Sequence, residues 1–251
     1  MNRPKTAPVL LFVAAFCAVL IGRLPLRWVA PHLPSDLHCE QPEGSLWAGR
    51  CASLSVKRAT GAFMLLGDVR WALRPARLLR ARLALDLSLL RGPATARGLV
   101  QLGVGHFEVR DLTAQGPLDP GLVPGFPPNW SGSIRITDAR LRLDKGQLTA
   151  LEGTAVASDL VAAGVKRTAY GSYQLKIPRV TDGGLAPGAL TDLGGPLEVH
   201  GVFRITPKRE WTLEGRVAPR PTADPDLVQQ IQYLGGADAQ GQRQFSVAGT
   251  L

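Results

Sequence analysis

Four histidines, three cysteines and twenty acidic residues are the groups in this 251-residue chain that could hold a metal or move a proton. His32, His38, His106 and His200 are scattered, and none is paired at ligand spacing with Cys, Asp or Glu, so a zinc site is not expected. His32 and His38 lie near Cys39 without a CxxC or HxxxH pattern, and read as turn or surface residues. His106 and His200 fall on the polar side of apolar–polar alternations. Asp36, Glu40 and Glu43 form a small acidic cluster. Paired carboxylates can do acid–base work, but ahead of a first strand these read as solvated charge. The chain has no GxSxG nucleophile turn, no phosphate-binding glycine loop followed by Lys-Ser/Thr, and no GxGxxG opening a helix. Gly103-Val104-Gly105 reads as a hairpin turn between two strands. The expectation is a protein that is not an enzyme, with no catalytic residue, cofactor or metal.

Cys17 sits inside an apolar run and reads as a small packed residue. Cys39 and Cys51 bracket the stretch Gly44–Gly49. A disulfide between them and a pair of free thiols are both compatible with the sequence, which does not fix geometry. The formal net charge is +9. The basic residues alternate along extended segments and form no runs, so nucleic acid is not an expected partner. They suit a solvated sheet face, or one that meets lipid headgroups or acidic partner surfaces.

Residues 7–22, APVLLFVAAFCAVLIG, carry no charge; Arg3 and Lys5 precede them, and Arg23 and Arg27 follow. A helical span needs about 20 apolar residues. Leu24, Pro25 and Leu26 lengthen the run if Arg23 snorkels, and Trp28 then stands where an interfacial aromatic belongs. A cleaved signal peptide is the rival reading, but no small-x-small pattern follows the core around Gly22-Arg23-Leu24. The expected layout is a cytoplasmic tail at 1–6, a transmembrane anchor at 7–26 and a domain outside the cytoplasm at 27–251. The basic start stays inside.

The elements after the anchor follow a period of two. Val69, Trp71 and Leu73 alternate with Arg70, Ala72 and Arg74; Leu83, Leu85, Leu87 and Leu89 with Ala84, Asp86, Ser88 and Leu90. Similar runs occur around Phe107, Ile134, Leu141, Tyr173, Leu197, Trp211 and Phe245. Side chains of a strand point alternately to opposite faces, so each run has one apolar and one polar face. About ten strands without long intervening helices predict a mainly β protein built on antiparallel sheet. Helix is expected over residues 225–234, with Asp224 as cap, Pro225 in the first turn, Leu227, Ile231 and Leu234 on one face and Gly235 at its end. A shorter turn is expected from Pro75. Residues 113–132, with five prolines and four glycines, read as a long connection between halves at 38–115 and 130–251. A faint echo of Glu43-Gly44-Ser45 in Glu152-Gly153-Thr154 points the same way, toward two curved half-sheets.

Three stretches carry a resemblance. The first is Glu43-Gly44-Ser45-Leu46-Trp47-Ala48-Gly49-Arg50 just past the anchor. The second is Val69-Arg70-Trp71-Ala72-Leu73-Arg74-Pro75 with Leu78-Leu79. The third is the ending, with Tyr233-Leu234-Gly235-Gly236-Ala237-Asp238, Gly241 and Phe245-Ser246-Val247-Ala248-Gly249. In order and spacing the chain resembles the type II secretion system protein N family of Gram-negative bacteria, with Ser45 where the family more often has Thr. The resemblance implies a single-pass inner-membrane protein with a periplasmic β-rich domain. Its implied partners are other secretion components: inner-membrane platform proteins and, farther out, the outer-membrane secretin. The motif residues Gly44, Ser45, Leu46, Trp47, Gly49 and Trp71 would be structural or interface residues, and no catalytic residue carries over. Trp47 and Trp71 read as core, with partner anchoring as the functional alternative for Trp47; Trp130 is the expected exposed aromatic.

A different class of function fits the same layout. A membrane anchor followed by a curved sheet with one apolar face also suits a periplasmic lipid-binding or lipid-transfer groove. Leu83, Leu85, Leu87 and Leu89 would line it. Whether that face is covered separates a core from a groove.

Overall fold

The computed structural model describes residues 25–26, 35–45, 47–57, 61, 63–74, 82–118, 129–164, 166–180 and 184–250. Of the expected anchor, only Pro25 and Leu26 fall within these. No helix among the described residues is long and apolar enough to cross a membrane. The turn expected from Pro75 and the residues His32 and Leu46 also lie outside them.

Fourteen strands join into one sheet. They are β1 (Leu37–Gly44), β2 (Ala48–Lys57), β3 (Phe63–Leu73), β4 (Leu83–Leu90), β5 (Thr95–Gly103), β6 (His106–Pro117), β7 (Trp130–Asp144), β8 (Gln147–Ala162), β9 (Thr168–Ile177), β10 (Gly184–Leu185), β11 (Gly188–Asp192), β12 (Leu197–Ile205), β13 (Glu210–Pro219) and β14 (Arg243–Thr250). A single helix, α1 (Pro225–Gln232), separates β13 from β14. Spatial order follows chain order, each strand antiparallel to the next; the short β10 is set aside and runs parallel to β8. The ladder crosses from β6 to β7 without interruption. The expected long connection is shorter than residues 113–132: both of its ends are strand, and only 118–129 link β6 to β7. Nor does Glu152-Gly153-Thr154 echo Glu43-Gly44-Ser45 in structure, since the first lies mid-strand and the second at a strand end.

Turn chemistry explains the tight hairpins. Lys145 and Gly146 both take positive φ (50° and 79°), as a two-residue primed turn requires. Gly103-Val104-Gly105 makes the turn from β5 to β6.

The long strands are not regular. Asp111, Asp138 and Asp159 adopt left-handed φ (52°, 51° and 54°) within β6, β7 and β8. The ladders shift register at each of them. Aspartate tolerates this conformation better than most residues. Each bulge resets the alternation, so the apolar face continues from Val109 to Leu112, from Ile136 to Ala139 and from Ala157 to Leu160. Gly153 meets the bulge of β7 at φ 136°, where a Cβ would lie 2.7 Å from the Ala139 Cα. Bulges bend strands and increase twist, so they curl the sheet.

Two closed cores stand toward opposite ends. One gathers Cys51, Val69 and Leu89, with Trp71, Leu54 and Leu87 against it. The other gathers Leu197, Val199 and Val217 beneath Leu227 and Ile231 of α1, with Tyr173, Leu190 and Phe245 around them. The helix begins at Asp224, whose carboxylate accepts the Asp226 N–H at 2.9 Å, and places Pro225 in its first turn. It ends at Gln232, so Leu234 is exposed and not on the buried face.

Candidate functional site

Because the ladder is continuous, one row of cross-strand neighbours can be followed over the whole sheet. It starts Pro42, Cys51, Val69, Leu89, Ala96. It continues Ala114, Ile136, Ala155, Leu175. It ends Leu190, Gly201, Gly215, Phe245. No member is polar. At the ordinary strand spacing this row measures roughly 60 Å along its curve. The adjoining rungs project to the other side and carry Glu43, Arg50, Arg70, Ser88, Arg97 and Thr113 near one end. Thr137, Thr154 and Lys176 continue that side over the later strands. The sheet therefore has one apolar face and one charged face along its whole length.

Burial runs against this division in the middle of the molecule. On β4 to β8, Ala84, Gln101 and Glu108 on the charged face are fully buried, and Glu152 there is as buried as Leu89 and Leu160 on the apolar face. Val100, Val109, Leu112, Ile136, Leu141 and Ala155, on the apolar face, are half-buried. Between described elements that are not ladder neighbours, α1 packs on β13 and on the tyrosines of β9, and Trp130 of β7 stacks on Tyr170 of β9. No described element lies over the apolar face of β6 to β8, whereas Tyr173 of β9 already packs into the core under α1. There the face holds a hollow of about 330 Å³, lined by Phe107, Val109, Leu112, Ile136, Leu141 and Leu175 among others.

The charged face is held by its own network. Glu108, with no exposed surface, accepts from Arg110 Nη2 and Arg140 Nε, both at 2.7 Å. Burial pushes the Glu108 carboxyl up; the two guanidiniums outweigh it and hold it below the usual carboxylate range. Glu152 accepts from Arg179 Nε at 3.1 Å and lies 3.8 Å from Arg140. His106 Nδ1 pairs with Asp144 Oδ1 at 2.6 Å. That bond, with help from Thr149 and Arg142, lowers the Asp144 carboxyl to about 2. These groups fix one another and contact neither cysteine nor serine side chains in a catalytic arrangement.

The motif residues build the turn between β1 and β2. Gly44 takes φ 86°, and Ser45 Oγ accepts the Trp47 and Ala48 N–H groups at 3.3 and 3.2 Å. Gly49 lies opposite Trp71: a Cβ there would stand 2.5 Å from Trp71 Cζ2. Trp47 is half-buried, and its carbonyl accepts the Leu73 N–H at 2.6 Å. This turn also receives the chain arriving from the N-terminal apolar segment: Pro25 bridges to Ser45, and Leu26 is 4% exposed. Cys39 and Cys51, Cα atoms 5.7 Å apart, are joined below it.

The remaining candidates do not assemble. His38 packs edge-on to Phe63, and His200 is exposed beside Glu198. Asp36, Glu40 and Glu43 are exposed, and Glu43 reaches Arg50 at 3.9 Å. Trp130 is not a free-standing aromatic, because it stacks on Tyr170 with ring centres 4.3 Å apart. No group of three potential metal ligands occurs among the described residues. Sequence reasoning missed the second use of the glycine–tryptophan device, where a Cβ on Gly249 would lie 2.8 Å from Trp211 Cζ2. It also missed the bulges, whose signal is an aspartate inside a three-residue gap in the apolar alternation.

The model of the family described as type II secretion system (T2SS), protein N matches residues 35–246. The chain belongs to that family. A curated relative, the type II secretion system protein N of Aeromonas hydrophila, is 26% identical over 255 residues, covering 95% of this chain and 96% of the relative. No solved structure matches the chain significantly. The family match begins at the strand-forming residues and runs through α1 into β14, so it spans both faces and both cores.

Proposed function

We propose that this protein is a non-enzymatic component of the type II secretion machinery. Residues 7–26 anchor it in the inner membrane, the amino terminus stays in the cytoplasm, and the sheet stands in the periplasm. It supports export of folded proteins across the outer membrane through contacts with other secretion components. Platform proteins of the inner membrane are the nearest partner class, and the outer-membrane secretin the farther one. The observation that carries this reading is the family match over residues 35–246, together with a relative of the same family aligned along nearly the whole chain. The fold supplies a means: among the described residues β1 and β14 are the terminal strands of the sheet, each with one edge that no described strand pairs, a route to strand addition. The test is deletion of the gene while following exoproteins and outer-membrane integrity. Folded exoproteins held in the periplasm behind an intact outer membrane are expected. Normal secretion from a detergent-sensitive cell would defeat the reading.

One observation favours a second reading, a lipid-binding groove anchored at the inner membrane. It is the apolar face of β6 to β8, which no described element covers.

A further inference from the structure

The open stretch of the apolar face lies between the two closed cores, one at β2 to β4 and one under α1. Small residues, Ala139, Gly153 and Ala155, leave room in it, and the larger Leu112, Leu141 and Leu175 stand around them. A hollow of about 330 Å³ falls within the usual size of small-ligand sites. Arg140 and Glu152 border it, but their charged ends are engaged on the opposite face with Glu108 and Arg179. The lining thus offers an occupant dispersion contacts and almost no hydrogen-bonding partner.

That chemistry selects the occupant. A peptide laid in the hollow would bury N–H and C=O groups without partners, which is costly. A hydrocarbon chain has none to satisfy. Its source is indicated by where the chain enters the sheet. Pro25, at the end of the apolar segment 7–26, is bridged to Ser45 in the turn that opens the same apolar row at Pro42 and Cys51. No spacer separates that segment from the sheet.

We propose that the hollow over β6 to β9 binds an acyl chain of a membrane phospholipid. The proposal deepens the lipid-groove reading and rests on residues 7–26 being a membrane anchor.

Photocrosslinking in living cells tests it with the full-length chain. The photoreactive residue p-benzoylphenylalanine is placed at Phe107 or Leu175 on the apolar face and at Thr137 on the charged face, outside the lining of the hollow. The cells are labelled with radioactive phosphate, and membrane association is scored by carbonate extraction. Phe107 already carries a ring, so replacement there preserves the size of the side chain. Labelled lipid adducts at Phe107 and Leu175, at least tenfold above Thr137, are expected. Filling the hollow with Ala155→Trp should reduce them severalfold while the thermal transition of the protein persists. Equal labelling on both faces, or adducts to protein alone at Phe107 and Leu175, overturns the proposal. A chain retained in the membrane without lipid adducts refutes the site and leaves the anchor standing. Adducts on a chain that washes off the membrane refute the anchor and leave the site standing.

Discussion

Gly49→Ala probes the turn motif by adding a single methyl group. The new Cβ would sit 2.5 Å from Trp71 Cζ2, 2.8 Å from the Ser45 carbonyl oxygen and 2.9 Å from Trp71 Cε2. Carbon atoms in contact prefer about 3.5–4.0 Å, so the indole must move by about an ångström or the turn must open. Trp71 packs against the core of Cys51, Val69 and Leu89 and has no room to slide without disturbing it. Overpacking of this kind costs about 1–3 kcal/mol. For a chain of this length that lowers the melting temperature by roughly 2–10 °C. Gly49 has no positive φ, so the loss is steric and not a matter of backbone strain. Thermal unfolding followed by circular dichroism measures it, on Gly49→Ala, Trp71→Leu and the double variant. With the indole gone, the added methyl should cost under about 0.5 kcal/mol, which leaves a coupling of about 1–2 kcal/mol between the sites. A Gly49→Ala protein that melts like the wild type, or two losses that simply add, would refute the close-packing account of the motif.

Three further outcomes are expected. Glu108→Gln leaves Arg110 and Arg140 without their shared carboxylate. The loss should be about 2–3 kcal/mol by chemical denaturation, below the usual range for broken buried pairs because both guanidiniums keep about a third of their surface in water. The Asp144 carboxyl, lowered to about 2 in the folded protein, contributes stability that is fully present above its unfolded value of about 3.8 and is lost as pH falls between the two. Asp144→Asn should therefore flatten the acid side of a melting-temperature profile and leave the neutral side nearly level with its own plateau; an unchanged acid slope would contradict the His106 pairing. Leu227→Ala, at a side chain only 1% exposed under α1, should cost about 2–4 kcal/mol and increase binding of an apolar dye as β12 and β13 are uncovered.

Much of the fold is written locally. Phe107 and Val109, or Leu197 through Ile205, show their apolar face in the spacing alone. Asp224-Pro225 announces α1, and its buried pair, Leu227 and Ile231, follows from a helical repeat. The break expected within residues 113–132 is less legible, because proline and glycine mark departures from regular strand without saying whether the ladder resumes. Here Gly116 and Pro117 stay in β6 and pair with Ile134 and Ser133. The turn motif was visible as a unit, but its purpose was not: that Gly49 makes way for Trp71 depends on a cross-strand register, not on sequence neighbours.

By itself the sequence determined which residues share a face, because alternation is fixed by the pleat of a single strand. It also determined the family, through motifs distributed from Gly44 to Gly249. Only the tertiary structure decided that thirteen strands align their apolar positions into one row, since that depends on register and on bulges at Asp111, Asp138 and Asp159. It alone showed the charged face to be the more deeply buried one at Gln101 and Glu108, and the apolar face of β6 to β8 to lie under no described element. Coverage is a property of distant segments meeting, and no local pattern of side chains encodes it.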